Sequence, residues 1–248
     1  MNTYVKNIIV RLIPNKIRPT LRAKQFRMKG GSYSFWENVY ANGGNSGEGS
    51  YGKLAQFKAE IIRQFISEKS VGSVIELGCG DGNQVGLSFD DGVSYLGLDV
   101  SKTAISQCIE RFKEDKNKDF FQFDVLNATN KQGFLTADLA VSIDVIYHLI
   151  EDYVYERYME MLFGLSKQYI IIYSPDIEQE QKPSYPHEKS RKFTEYINAN
   201  FPEWELVQHI PNKYPVEKDP SGSSAEFYFF ERGTKAGSLP DLGKSPLS

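Results

Sequence analysis

The apolar positions of this chain follow two alternating periods. Leu54, Phe57, Ile61, Ile62, Phe65 and Ile66 recur at helical spacing and predict a helix from residue 54. Short apolar runs then predict strands at Val74–Leu77, Tyr95–Val100, Phe120–Val125, Leu139–Asp144 and Tyr169–Tyr173. The last of these is almost continuously apolar, as a parallel strand covered on both faces is. Between the strands, Ser101 is placed to cap a helix running to about residue 115. Val154, Tyr158, Met161, Leu162 and Leu165 mark one face of a helix over 151–165. Beyond residue 174 the character changes. A polar, proline-containing excursion over 174–190 resembles a lid, a helix follows near 190–199, and strand patterns recur at 204–210 and 225–231. Alternating strands and helices predict a doubly wound parallel sheet, whose ligands bind just beyond the C-terminal ends of the strands.

The 248 residues suffice for one large α/β domain. A net charge of -3 gives no general grip on nucleic acid. The charge is unevenly spread: no acidic residue precedes Glu37, while Lys6, Arg11, Lys16, Arg18, Arg22, Lys24, Arg27 and Lys29 do. These basic residues interleave with Ile8, Ile9, Val10, Leu12, Ile13 and Ile17. The leader is therefore read either as a solvated arm packed as a helical cap or as a peripheral contact with anionic membrane. Cys79 and Cys108 offer no disulfide framework and read as small buried side chains in a reducing cytosol. No apolar run reaches the roughly 18 residues that span a bilayer, so a cytoplasmic location is expected.

The chemistry is expected after the strands. Gly78-Cys79-Gly80-Asp81-Gly82 follows the first, where glycines allow a tight turn and close approach to a ligand. Glu76 precedes this loop. Asp99 ends the second strand, 21 positions after Gly78, where a carboxylate can accept both ribose hydroxyls. Asp124 ends the third. A dinucleotide oxidoreductase is the rival reading, but its fingerprint requires Gly or Ala where Asn83 stands. Gly47 to Lys53 matches the spacing of a nucleotide-triphosphate loop, yet Leu54 stands where a Mg²⁺-binding hydroxyl belongs and no apolar strand precedes it.

The segments VIELGCGDGN, YLGLDVS, FFQFDV and SIDVIYHL resemble, in order and spacing, the successive motifs of class I S-adenosylmethionine-dependent methyltransferases. The expected fold is then an α/β Rossmann-like, mostly parallel seven-stranded sheet with an antiparallel last strand, plus an N-terminal helical cap. The resemblance implies a cap and glycine-rich loop over 1–53, a methyltransferase domain over 54–232 and a flexible tail over 233–248. It implies that Gly78, Gly80 and Gly82 pass under the methionine part of S-adenosylmethionine. Glu76 supplies acidic character, Asp99 binds the ribose, Asp124 and Val125 the adenine, and Asp144 and Val145 lie near the amino-acid moiety and sulfonium. A stretch like GSYGKLAQFKAE also occurs in bacterial methyltransferases of capsule and surface-polysaccharide gene clusters, which implies that Tyr51 and Lys53 fold over cofactor or substrate.

His148 is the candidate general base, with Tyr147 beside it, because both follow the fourth strand closely. His187, with Lys189, Arg191 and Lys192, reads either as a solvated helix start or as an anion site in which Arg191 forks onto phosphate. Lys213 and Tyr214 are candidates to join that anion site, whereas His209 reads as structural. No His, Cys or carboxylate set has metal-ligand spacing, so no metal is expected. The expected function is O-methylation of a small phosphate-bearing or sugar precursor, free or nucleotide-linked. A cofactor-binding scaffold without transferase activity is the alternative of a different class.

Overall fold

The computed structural model describes residues 31–90, 92–178 and 187–233. The basic residues of the leader, residues 179–186 of the lid-like excursion and residues 234–248 of the expected tail lie outside the described residues.

The elements run in chain order as α1 (Gly31–Ala41), α2 (Gly52–Lys69), β1 (Ser73–Leu77), α3 (Asn83–Ser88), β2 (Ser94–Asp99), α4 (Lys102–Arg111), β3 (Lys118–Gln122), β4 (Ala137–Ile143), α5 (Asp152–Gly164), β5 (Ser166–Ser174), α6 (Phe193–Asn200), β6 (Trp204–Ile210) and β7 (Glu226–Arg232). Short 3₁₀ turns stand at Glu48–Ser50 and Ile146–His148. The strands form one sheet of order β3-β2-β1-β4-β5-β7-β6. β7 runs antiparallel to both its neighbours, and the remaining neighbouring pairs are parallel.

Alternation along each strand divides the core into two layers. Ile170, Ile172, Tyr228 and Phe230 face one side, with Val154, Tyr158 and Met161 of α5 and Ile197 of α6. Tyr169, Ile171, Tyr173, Phe227 and Phe229 face the other, with Phe57, Ile62 and Phe65 of α2, Val85 of α3 and Ile105 of α4. Each large apolar side chain so buried contributes on the order of 2 kcal/mol.

The helix ends obey local chemistry. Ser101 accepts from the Ala104 N–H at 3.0 Å and caps α4 as its sequence predicts. Glu37 of α1 reinforces that cap, accepting from the hydroxyls of Ser101 and Thr103, each at 2.6 Å. These hydrogen bonds hold its carboxyl below the usual range.

The structure adds to the sequence reading in three places. α1 gives bounds to a helix within the expected N-terminal cap, and the short α3 carries too little apolar periodicity to be read as a helix. α4 ends at Arg111, followed by a turn, rather than near residue 115. β3 leaves the sheet at Gln122, so Phe123 and Val125 lie beyond the ladder, free to line a pocket.

Candidate active site

The strand order reverses between β1 and β4, the place where open α/β sheets bind ligands. A pocket opens there, enclosing about 870 Å³ of empty space, its open mouth included. Of the residues expected from sequence, Glu76, Gly78, Gly80, Asp99, Val125, Asp144, Val145 and His148 line it.

The glycine turn is built by two hydrogen bonds: Gly78 and Cys79 N–H both donate to the Leu98 carbonyl, at 2.6 and 3.1 Å. Gly78 has φ +90° and Gly80 φ +56°, where any Cβ is strained. A Cβ on Gly78 would meet Val145 Cγ2 at 2.5 Å, and one on Gly80 would meet Ser46 Oγ at 2.4 Å. The loop is therefore a surface that only bare backbone can form.

Asp99 accepts from Gly80 N–H at 3.0 Å and Ser101 N–H at 2.8 Å, which locks its carboxylate against the turn. Burial pushes its carboxyl up, and those backbone donors offset part of the effect. Glu76, fully buried, accepts from the Tyr95 hydroxyl at 2.6 Å. Burial raises it to about 7, with the Tyr95 hydrogen bond and the Lys58 charge opposing.

Asp144 ends β4 in the left-handed region, φ +57°. Its Oδ2 accepts from Lys58 Nζ at 2.6 Å and its Oδ1 from the Tyr147 hydroxyl at 3.1 Å. The Lys58 side chain is 0% exposed and that of Asp144 12%, so this is a largely buried ion pair whose carboxylate lines the pocket.

Other expected residues fall outside the pocket lining. Gly82 caps α3, and a Cβ there would strike Cys108 and Phe112, which is a packing constraint. Asp124 serves its own turn, accepting from Leu126 N–H at 2.8 Å and from the Asn127 side chain, and the partly buried Tyr33 phenol is pushed up by desolvation first and then by the charge of Asp124 and a hydrogen bond to it. Tyr147 supports Asp144 from behind. Tyr51 donates to Asp81 Oδ2 at 2.7 Å, tying the 46–51 loop over the glycine turn. From that loop it is Ser46 and Ser50 that line the pocket. Lys53 points away from the pocket, paired with Asp219 and hydrogen-bonded to Ser221 Oγ at 2.7 Å.

The expected anion site is not assembled. Arg191 Nη2 and Lys189 Nζ both reach Asp152 Oδ1, at 2.9 and 2.5 Å, and the Arg191 guanidinium lies 4.3 Å over the Tyr155 ring. A phosphate would have to displace Asp152. Lys213 lies 5.7 Å over the Tyr214 ring instead. His209 lies 2.7 Å from Glu226 and stacks on Tyr228. Cys79 and Cys108 are buried free thiols.

His148 lies in an aromatic box: Trp36 edge-on at 4.9 Å, Tyr147 at 4.2 Å and His187 stacked at 5.5 Å. Burial lowers its imidazolium to about 4, so the ring is neutral at neutral pH. The sequence set no metal cluster here, yet His148, His187 and Glu188 bring one ligand atom each to within 4.8 Å of one another. Glu188 is also pushed up by burial and His187 down.

The sequence reading missed Tyr33, Trp36 and Tyr40 of α1, which line the pocket together. Their spacing, three then four residues, was the available signal. Gln84 was missed as well. Its Nε2 donates to the Ala55 carbonyl at 3.1 Å and to Ser88 Oγ, and because a carbonyl only accepts, the assignment of the amide's nitrogen and oxygen is fixed. That Oε1 has no hydrogen-bond partner among the described residues.

Residues 75–164 match the protein-family profile described as Methyltransferase domain. No match was found among curated proteins. Among solved structures, the chain is similar to the N-methyltransferase NodS from Bradyrhizobium japonicum, crystallised with S-adenosyl-L-homocysteine, at 15% identity and TM-score 0.62, covering 82% of this chain and 99% of that one. It is similar to the methyltransferase domain of bacterial CtHen1 at 21% identity and TM-score 0.58, covering 73% and 100%. It is similar to the magnesium protoporphyrin IX methyltransferase ChlM from Synechocystis PCC 6803 at 14% identity and TM-score 0.56, covering 86% and 99%. These likenesses share a fold, and no helix among the described residues is long and apolar enough to cross a membrane. From β1 through α5, the stretch that carries the glycine turn, Asp99 and Asp144, this chain matches the methyltransferase-domain profile and shares the fold of these methyltransferases.

Proposed function

We propose that this chain is an S-adenosylmethionine-dependent methyltransferase acting on an oxygen of a small, hydroxyl-bearing acceptor, a sugar unit or sugar precursor of surface-polysaccharide assembly. The observation that carries the reading is the convergence of a bare-backbone turn, acidic strand ends and an aromatic wall in one pocket at the sheet's switch point. The residues fit the cofactor. The cradle at Gly78 and Gly80 excludes any side chain, and Gln84 Oε1 is a buried acceptor awaiting a donor. Glu76, Asp99 and Asp144 suit a ligand with a sulfonium and an ammonium and no pyrophosphate.

When bound, the cofactor supplies a methyl group made electrophilic by its sulfonium. Gly78 and Gly80 would hold its amino-acid part, Asp99 its ribose hydroxyls, and Phe123 and Val125 its base. Asp144, fixed by Lys58 and Tyr147, would complement its positive charge with Glu76. His148 would orient the acceptor through its Nε2, since its Nδ1 meets the His187 carbonyl. With its conjugate acid near 4, it is poorly matched to a base role at neutral pH. Trp36 and Tyr33 offer apolar faces for a sugar ring, and because Arg191 is committed to Asp152 a neutral acceptor is favoured over a phosphate-bearing one. The capsule pathway itself rests on the resemblance around residues 50–60.

Two results are expected from calorimetric titration. Asp99→Ala should weaken S-adenosylhomocysteine binding at least about tenfold, through loss of a charge-assisted acceptor. Asp124→Ala, whose side chain serves its own turn, should change it by less than about threefold. Equal losses in both variants would restore the adenine role to Asp124. Labelled methyl transfer to free and nucleotide-linked sugars, with RNA and quinones alongside, tests the acceptor class; label on RNA alone would contradict it.

The Glu76 carboxyl gives a pH dependence. Its folded value of about 7 lies above its ordinary 4.5, so the folded state holds the proton more tightly. Stability of the ligand-free protein therefore falls as pH rises from about 4.5 through 7, by a total on the order of 3 kcal/mol. A cationic cofactor favours the ionised form, so its affinity should rise over the same window. Glu76→Gln should flatten both trends, read by thermal melts and titration between pH 5 and about 8; an unchanged slope would exclude Glu76 as the group responsible.

A further inference from the structure

His148 and His187 stand 39 positions apart, and the fold closes that gap. Lys189 N–H donates to the Tyr147 carbonyl at 2.7 Å, pinning the segment from His187 onward against the turn that carries His148. Phe35 stacks on His187 at 4.6 Å and Trp36 stands edge-on to His148, so α1 covers the cluster with apolar rings. Beside the two imidazoles stands the half-buried carboxylate of Glu188.

We propose that His148, His187 and Glu188 bind a divalent transition-metal ion at the acceptor end of the pocket. Two imidazoles and one carboxylate on one face is a donor set for Mn²⁺, Fe²⁺, Co²⁺ or Zn²⁺ that leaves coordination positions open. The ligand atoms lie within 4.8 Å of one another. Ligands about 2.1 Å from an ion are separated by roughly 3 to 4 Å, so small side-chain rotations close the site. The hydrogen bonding of His148 has the form a metal ligand requires. Its Nδ1 lies 3.2 Å from the His187 carbonyl, which can only accept, so Nδ1 carries the proton and Nε2 keeps its lone pair for an ion. A backbone carbonyl at the far nitrogen is the usual device that fixes the tautomer of a metal-binding histidine.

His148 also lines the pocket, so the open positions face the space where an acceptor sits. Paired hydroxyl oxygens of a sugar are the ligand chemistry that fills them. This acceptor role rests on the methyltransferase reading; the binding of the ion does not.

The test is titration of untagged, chelator-treated full-length protein with Co²⁺, followed by its visible absorption, and with Mn²⁺ by calorimetry. One ion per chain is expected, weakened at least about tenfold in His187→Gln and in Glu188→Gln, with S-adenosylhomocysteine affinity held within about threefold. Thermal melts of each variant identify any that fails to fold, and the other then carries the comparison. No saturable Co²⁺ binding, or binding in both variants as strong as in the wild type, overturns the proposal. S-adenosylhomocysteine binding without Co²⁺ binding would overturn the metal site and leave the methyltransferase reading standing. Co²⁺ binding without S-adenosylhomocysteine binding would uphold the site and remove the reading of its acceptor.

Discussion

Gly80→Ala should reduce S-adenosylhomocysteine affinity by at least about a hundredfold and lower the melting temperature by roughly 5 to 15 °C. Three effects act together. The residue sits at φ +56°, which any Cβ strains. The added methyl lies 2.4 Å from Ser46 Oγ and 2.9 Å from the Tyr40 hydroxyl, so the 46–51 loop and α1 must both yield. Movement of the turn also breaks the bond from Gly80 N–H to Asp99, the carboxylate proposed to hold the ribose. Strain and steric conflict of this kind amount to roughly 2 to 4 kcal/mol. Gly86→Ala is the control. Gly86 lies inside α3, and its added Cβ meets Phe112 only at ordinary contact distance, 3.5 Å. It should bind normally and melt no lower, since alanine favours a helix by up to about 1 kcal/mol over glycine. A Gly80→Ala protein that binds as wild type would mean that the turn does not shape the cofactor site.

Lys58→Met should be the most destabilising substitution that leaves the glycine turn itself intact. Lys58 carries a fully buried ammonium 2.6 Å from Asp144, and it passes 5.2 Å from the Tyr173 ring on the way. Removing it strands a carboxylate with one remaining donor, Tyr147, in a left-handed backbone position. Breaking a buried pair from one side typically costs about 3 to 5 kcal/mol. Lys58→Met with Asp144→Asn should recover much of that stability, because the stranded charge is gone and asparagine tolerates the left-handed region. Cofactor affinity should stay low in the double variant, since the proposed complement to the positive charge is absent. Chemical denaturation of both single variants and the double gives the coupling directly. A Lys58→Met protein as stable as wild type would show that the pair contributes little.

These two positions mark how far the sequence could be read. Gly80 was legible because a glycine turn after an apolar strand has few other uses, and Asp99 because it ends the next strand at a fixed spacing. The strands were legible because burial on both faces writes a continuous apolar run, as in β5. Lys58 was not legible. A lysine within an amphipathic helix reads as solvent-facing, and only the tertiary fold shows that its ammonium is buried beneath β4. Tyr33, Trp36 and Tyr40 were hidden in a segment whose basic neighbours dominate its character. Asp124 reads in the sequence as the end of the third strand, but β3 leaves the sheet two residues before it and its carboxylate closes a turn. Arg191 looked available because its partner, Asp152, lies 39 positions away. The histidine cluster was invisible for the same reason. Contacts between distant segments leave no local spacing to count.

The most direct measurement is calorimetric titration of the full-length protein with S-adenosylhomocysteine and, separately, with NAD. The account predicts saturable one-to-one binding of S-adenosylhomocysteine, lost in Gly80→Ala, and no saturable response to NAD. Saturable NAD binding with no response to S-adenosylhomocysteine would contradict it.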